Sequence, residues 1–132
     1  PRSEGCAMNH TIIHFDIPAD NVDLLKGFYR QVFGWKVIDL PEMGYVMFHT
    51  VPTDENGMLL EPGVNGGMYQ RVSREHVPLN YIQVESVDEH VERAVSNGGR
   101  IVSPKQHIPT VGDVAVISDP EGNPVGLIRP EM

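Results

Sequence analysis

The chain has 132 residues, of which 40% are hydrophobic and 21% are charged, and this composition indicates one globular domain with an apolar core. The formal net charge of −8 argues against nucleic acid and against anionic membrane surfaces as partners, because both require a cationic face. The apolar stretches are too short for a membrane span, and the single Cys6 excludes an internal disulfide. The cytoplasm is therefore the expected compartment.

The first half of the chain has the pattern of a strand, a helix and three further strands. Period-two alternation predicts a strand over 11–17 that ends at Pro18, with Asp20 as the cap of the helix that follows. Apolar residues then recur at helical spacing up to Phe33, and Gly34 provides the helix stop. The remaining strands are predicted over 35–40, 45–51 and near 67–71.

The second half repeats this order. A strand is predicted over 79–84, and Ser86 with Glu89 three residues later forms the capping-box signature of a helix that ends at Gly98. The segment 119–123, with the sequence DPEGN, predicts a tight turn before the last strand. The remaining strands are predicted over 100–104, 113–118 and 125–129.

A shift of 65 positions lays the first half over the second. Val22 then falls on Val87 and Gly34 falls on Gly99, so the expected starts and stops of both helices coincide. Sequence identity across this overlay is low, and the repeat depends on the order and spacing of the elements. We therefore expect an internal duplication.

Several short segments resemble one known family. They are Ile13-His14-Phe15, Phe28-Tyr29, Val32-Phe33-Gly34-Trp35, Ile108-Pro109-Thr110-Val111-Gly112 and Asp119-Pro120-Glu121-Gly122-Asn123. Together they resemble the vicinal-oxygen-chelate superfamily of glyoxalases, bleomycin-resistance proteins and dioxygenases, and the fourth resembles its lactoylglutathione-lyase-related branch. The resemblance covers about residues 10–130. Such motifs are specific for the fold and do not name the reaction.

The resemblance implies an α+β fold in which two tandem βαβββ modules form a half-barrel cleft with the helices on the outside. The expected domain is 10–132, with module 1 over about 10–72 and module 2 over about 76–130. Residues 1–9 are expected to be a disordered or expression-derived N-terminal tail. Open sheet edges and a cleft also make a homodimer the expected assembly. Core packing is expected to account for Phe28, Phe33 and Trp35.

Metal-using relatives carry one ligand on the first strand and one on the last strand of each module. His14 matches the first of these positions, whereas the overlay places Leu79 at the second and the spacing after the DPEGN turn places Gly126 at the last. The remaining position falls near Gly67. Since a divalent ion needs about three protein ligands, we expect no cofactor. A divalent metal is the less favoured alternative and would need substitute ligands: Glu61, His49, His107 or Asp113.

Strand parity gives the expected binding residues. If His14 faces the cleft, so does Asp16, and the same parity in module 2 places Tyr81 and Gln83 on the face of the sheet that lines the cleft. His14 beside Asp16 has the composition of a general base, although the pair could equally be a remnant of a metal site without chemistry. Tyr45 and His49 could line a second wall of the cleft or belong to an ordinary strand end.

These residues favour a protein that binds a small molecule without an obligatory metal. The alternative is an enzyme, a metal-dependent lyase, isomerase or dioxygenase of the same superfamily that uses His14 and non-standard ligands. A third hypothesis is an interaction module whose cleft is apolar and filled. The sequence does not name the ligand.

Overall fold

The backbone of the computed structural model follows the predicted order of elements, and the structure describes residues 9–131. The fold is mixed α+β. The strands are β1 (Ile12–Ala19), β2 (Lys36–Leu40), β3 (Tyr45–His49), β4 (Asn65–Gln70), β5 (Leu79–Gln83), β6 (Arg100–Ile108), β7 (Gly112–Ser118) and β8 (Pro124–Pro130). The α-helices are α1 (Val22–Phe33) and α2 (Val87–Ser96), and a short 3₁₀ helix covers Pro41–Met43.

The chain divides into two compact units. The first unit is His14–Leu79, and the second unit contains residues 80–131 together with 9–13. The prediction of a tail over residues 1–9 lies almost entirely outside the described residues, while the backbone oxygen of Asn9 accepts a hydrogen bond from the Gln83 side chain at 3.1 Å. No helix within residues 9–131 is long and apolar enough to cross a membrane.

Each unit has the same strand topology. In the first unit the strand order is β2-β3-β4-β1, with β1 parallel to β4 and the other pairs antiparallel. In the second unit the order is β5-β8-β7-β6, with β5 parallel to β8. The first strand of each unit therefore lies beside its last strand, which is the βαβββ arrangement predicted from the repeat.

The two helices start at equivalent positions, as the overlay predicted, because Val22 and Val87 are the first residues of α1 and α2. Gly34 caps α1 in the left-handed region with a φ of 72°, a conformation that glycine adopts without steric cost. Two local predictions are wrong. Asn21, rather than Asp20, caps α1 by accepting a hydrogen bond from the Leu24 N–H.

The second error concerns the end of β1. Pro18 does not end the strand, since it stays in register with Tyr69 of β4 and the strand continues to Ala19. Proline lacks a backbone N–H and is tolerated in a strand where that group is not needed for the ladder. The extra residues continue the contact between β1 and β4, the pair of strands that carries most of the candidate site.

Each unit has its own apolar core between its sheet and its helix. In the first unit the core is Ala19, Val46, Phe48 and Met68, against which Tyr29 and Trp35 pack, among others. In the second unit it is Val84, Val87, Ala115 and Leu127. The expectation that Phe28 and Phe33 belong to the core is wrong, because they are 50% and 58% exposed. Phe28 contacts Tyr29 edge-on and Phe33 stacks on Trp35, so both lie at the exposed border of this aromatic group.

Candidate ligand-binding site

Three neighbouring strands of the first unit bring together three of the predicted site residues. His14 and Asp16 lie on β1 with one residue between them, so strand parity places both on the same face of the sheet. Tyr45 opens β3, and β4 lies between β3 and β1. The side chain of Tyr45 reaches across β4 to the two residues of β1. We call these three side chains the His14 cluster.

The three polar groups of the His14 cluster lie within hydrogen-bonding distance of one another. The Tyr45 hydroxyl donates to Oδ1 of Asp16 at 2.5 Å. Nε2 of His14 lies 2.8 Å from the same hydroxyl and 3.1 Å from Oδ1 of Asp16. The side chains of His14 and Asp16 are 28% and 15% exposed, so the cluster is partly buried and accessible from one side.

The short contact places one proton of the cluster. Two oxygens at 2.5 Å share a proton between them, and the Tyr45 hydroxyl donates it to the Asp16 carboxylate. Because Nε2 of His14 lies beside the same hydroxyl, the three groups form a short chain from imidazole to phenol to carboxylate.

Gly67 of β4 lies directly under the Tyr45 ring. A Cβ atom at this position would come closer than 3.0 Å to the hydroxyl and ring carbons of Tyr45, a separation that real Cβ atoms do not show. No side chain fits at Gly67 while Tyr45 keeps its hydrogen bonds. The phenol of Tyr45 thus fills the space that a side chain on the last strand of this unit would occupy.

The second unit contains the same combination of tyrosine and glycine. Tyr81 of β5 is in register with Gly126 of β8, and a Cβ atom at Gly126 would overlap the Tyr81 ring. In the first unit Asp16 of β1 is in register with Gly67 of β4. Since Asp16 and Tyr81 are 65 positions apart, the strand registers make Gly67 and Gly126 equivalent positions, as the sequence alignment predicted.

The metal-ligand positions implied by the resemblance do not form a ligand set. Leu79 has no donor atom, and the places of the two last-strand side chains are taken by aromatic rings. Within residues 9–131, no three or more His, Cys, Asp or Glu side chains are arranged to hold a metal ion. Of the suggested substitutes, His107 and Asp113 bind each other at 2.9 Å in the second unit. The residues therefore do not fit the family's metal.

The remaining predicted residues have other surroundings. The Gln83 amide holds the backbone of Asn9. His49 lies at the far end of β3 from Tyr45 and opposite Lys36 of β2. Burial lowers the pKa of His49, and the positive charge of Lys36 lowers it further. The structure therefore separates His49 from Tyr45 along β3, and β4 lies between His49 and His14.

Sequence reasoning named Gly67 as a ligand position without a ligand, but it missed Tyr69 and the contact of Tyr45 with Gly67. Burial raises the pKa of the Tyr69 phenol, and the negative charge of Asp16 raises it further. The ionisation of this second phenol therefore depends on the charge of the His14 cluster. An open pocket of about 470 Å³ lies at this end of the first unit. Its lining is Val22, Asp39, Leu40, Pro41, Gly44, Tyr45, Val46, Met68, Tyr69 and Gln70. An aromatic residue on the strand next to a glycine pair was the available signal.

Comparisons with known proteins agree with this architecture. CFP32 of Mycobacterium tuberculosis, which is named as a provisional glyoxylase, is 29% identical over 117 residues, which are 85% of this chain and 42% of CFP32. The chain thus spans less than half the length of that relative. A glyoxylase-like domain-containing protein of Didymella fabae is 29% identical over 119 residues, with 82% of this chain and 84% of the relative covered.

Solved structures share the fold at low identity. Methylmalonyl-CoA epimerase from Mycobacterium tuberculosis superposes with a TM-score of 0.65 at 13% identity, covering 98% of this chain and 95% of the epimerase. A glyoxalase/bleomycin resistance protein/dioxygenase superfamily member from Vibrio splendidus gives a TM-score of 0.60 at 11% identity, covering 92% of this chain and 99% of that one. The predicted α+β fold is confirmed. The model of the Glyoxalase/Bleomycin resistance protein/Dioxygenase superfamily matches residues 11–127, and the chain belongs to this superfamily.

Proposed function

We propose that this protein binds a small molecule through the His14 cluster and that it does so without an obligatory metal. The observation that carries the proposal is the position of the Tyr45 phenol over Gly67. Where metal-using relatives carry a ligand side chain on the last strand, this unit has a phenol that is hydrogen-bonded to His14 and Asp16. A cluster of this kind recognises a ligand by hydrogen bonds.

Tyr45 joins the His14 cluster to the 470 Å³ pocket, whose lining includes the core residues Val46 and Met68 rather than His14 or Asp16. Tyr45 contributes both to the cluster and to the lining of the 470 Å³ pocket, most of whose other lining side chains are apolar. Binding sites for small molecules commonly combine an apolar wall with a few fixed polar groups. The hydrogen bonds within the cluster hold the three side chains in place before a ligand arrives, which reduces the entropy lost on binding.

A second candidate function is proton transfer by an enzyme. It is favoured by the continuous chain from Nε2 of His14 through the Tyr45 hydroxyl to Asp16, because such a chain can return a proton to a histidine that acts as general acid or base. This candidate uses the same residues and needs no metal. A bound ligand that is released unchanged would support the first candidate, and one that is epimerised or exchanges a carbon-bound proton would support the second.

We propose a cytoplasmic homodimer as the working form. The helix α1 supports the dimer, because Leu24, Phe28 and Val32 recur at every fourth position and are 66%, 50% and 56% exposed. Such a stripe occupies one face of a helix, and exposed apolar patches commonly mark protein contacts. This chain spans 42% of CFP32. The rest of that relative is long enough for a second domain of this size.

The test is a thermal-shift screen with thiol conjugates, aromatic antibiotics and small diketones. A ligand that binds the folded state raises the midpoint by mass action, and we expect Tyr45→Phe and Asp16→Asn to reduce that rise. His107→Gln, which changes a histidine of the second unit, is the matched control and is expected to leave it intact. Elemental analysis of protein purified without chelator is expected to find substoichiometric metal. Stoichiometric metal, or ligand binding abolished by a chelator, would contradict the proposal.

A further inference from the structure

A pair of basic side chains lies on the same sheet face as the His14 cluster. Lys36 of β2 and His49 of β3 are direct cross-strand partners. Their neighbours Val37 and Phe48 point into the apolar core under α1, so strand parity turns Lys36 and His49 to the opposite face. Tyr45 has the same parity as His49 on β3, and it is the residue that completes the His14 cluster.

A separate pocket of about 340 Å³ opens beside this pair. Its lining is Gly34, Lys36, His49, Thr50, Val51, Pro52, Thr53 and Leu60, and no carboxylate is among them. The loop that forms its far wall is fixed by the Asn65 side chain. Oδ1 of Asn65 accepts from the Thr50 N–H at 2.8 Å, and its amide donates to the Thr53 hydroxyl at 2.8 Å. We call this cavity the Lys36–His49 pocket.

The electrostatics of the pocket favour a negative charge. The protein as a whole has a formal net charge of −8, yet the two titratable groups in the lining are both bases. Within residues 9–131 neither Lys36 nor His49 has an ion pair with a carboxylate. The positive charge of Lys36 disfavours a second positive charge on His49 across the strand pair, and a bound anion would offset the charge of Lys36.

We propose that the Lys36–His49 pocket binds an oxyanion of the small-molecule ligand, namely its phosphate or carboxylate group. This inference rests on the proposed function, because it treats the pocket as a subsite for the molecule that contacts the His14 cluster. His14 is in register with Asn65, and Phe48 is in register with Gly66, so His49 lies nearly level with His14. With two strand spacings between β1 and β3, the anionic group lies about 10 Å from the cluster.

The proposal thereby specifies the class of ligand. It is an elongated molecule with an oxyanion at one end and, about 10 Å away, a polar group that contacts His14, Asp16 and Tyr45. Lysine and threonine hydroxyls are donors suited to phosphate, while a carboxylate uses the same donors with less charge. Inorganic phosphate and acetate are therefore the two probes that distinguish a phosphate group of the ligand from a carboxylate group.

The experiment is an NMR titration of the intact protein with each probe, in which the pKa of His49 and the apparent affinity are measured. Phosphate is expected to raise the His49 pKa, and Lys36→Gln is expected to weaken phosphate binding about fivefold, the factor for one ion contact near water. Arg30→Gln, which removes the same charge from α1 of the same unit, is expected to leave the affinity unchanged. Stronger binding of acetate than of phosphate would assign the subsite to a carboxylate.

The proposal is overturned if neither probe changes the His49 pKa, or if Lys36→Gln and Arg30→Gln weaken binding equally, which would indicate a diffuse charge effect. Its failure can be told apart from failure of the proposed function. Tyr45→Phe leaves the Lys36–His49 pocket unchanged and tests the cluster by the thermal-shift screen. Lys36→Gln leaves the His14 cluster unchanged and tests the oxyanion by phosphate affinity.

Discussion

The substitution Gly67→Ala tests whether the Tyr45 phenol occupies the position assigned to it. A methyl group at residue 67 would come closer than 3.0 Å to the Tyr45 hydroxyl and ring, so the tyrosine must move. It would lose its 2.5 Å hydrogen bond to Asp16, and a hydrogen bond to a charged group contributes about 2 kcal/mol. Repacking around an added methyl group costs about 1 kcal/mol more. We expect the free energy of unfolding to fall by about 2–3 kcal/mol, after the small entropic gain of replacing glycine.

The decisive measurement is a double-mutant cycle with Tyr45→Ala. Once the phenol is gone, the methyl group at residue 67 has space, and Gly67→Ala is expected to stabilise the protein by about 0.5 kcal/mol through the unfolded chain. The expected coupling energy is therefore about 3 kcal/mol, well above the values found for independent sites. Urea unfolding followed by Trp35 fluorescence gives the four free energies that the cycle needs.

Gly27→Ala is the control. Apart from its chain neighbours and the backbone of its own helix, no atom lies within 4 Å of a Cβ at Gly27, so this substitution is expected to combine additively with Tyr45→Ala, within about 0.5 kcal/mol. If Gly67→Ala destabilised the protein equally in the presence and absence of the phenol, Tyr45 would not lie over Gly67. The Tyr45 phenol would then not take the place of a metal ligand in the first unit.

Three further predictions test other parts of the structure. In the second unit, Gly126→Ala is expected to lower the free energy of unfolding, measured with urea, when Tyr81 is present but not in a Tyr81→Ala background. An equal loss of stability in both backgrounds would show that the Tyr81 ring does not overlap the space beside Gly126. Asp16→Asn is expected to lower the pKa of Tyr69, because burial raises that pKa most and the negative charge of Asp16 raises it further. NMR titration of the Tyr69 ring measures this pKa, and an unchanged value would contradict the prediction. Sedimentation is expected to give about twice the chain mass of 14.7 kDa, and Phe28→Lys is expected to return it to a monomer; a monomeric wild type would remove the dimer.

The fold was accessible from the sequence because its signals are local. The spacing of apolar residues and the glycine stop at Gly34 define α1 without knowledge of any tertiary contact, and the shift of 65 positions correctly equated the starts of both helices. The error at the start of α1 occurred because two adjacent residues could serve the same purpose. Asp20 and Asn21 are both good helix caps, and only the backbone conformation selects Asn21.

The candidate site was only partly accessible, because strand parity and strand register carry different information. Parity alone places His14 and Asp16 on one face, as predicted. The contact with Tyr45 depends on the register of β1, β4 and β3, which is set by the long loop between β3 and β4 as well as by the core. The same dependence explains why His49 was grouped with Tyr45, although the two residues lie at opposite ends of β3.

The two tyrosine–glycine pairs determine how many substitutions would be needed to restore a metal ligand on the last strand of each unit. Gly67→Glu alone cannot return a ligand to the first unit, because Tyr45 fills the space and is held there by Asp16 and His14. Tyr45→Ala alone opens the space but supplies no donor. A metal ligand therefore returns only if two positions on different strands change together, and the same condition applies to Tyr81 and Gly126. Each intermediate carries a clash or a cavity, so the tyrosine-filled site is separated from a metal site by destabilised variants.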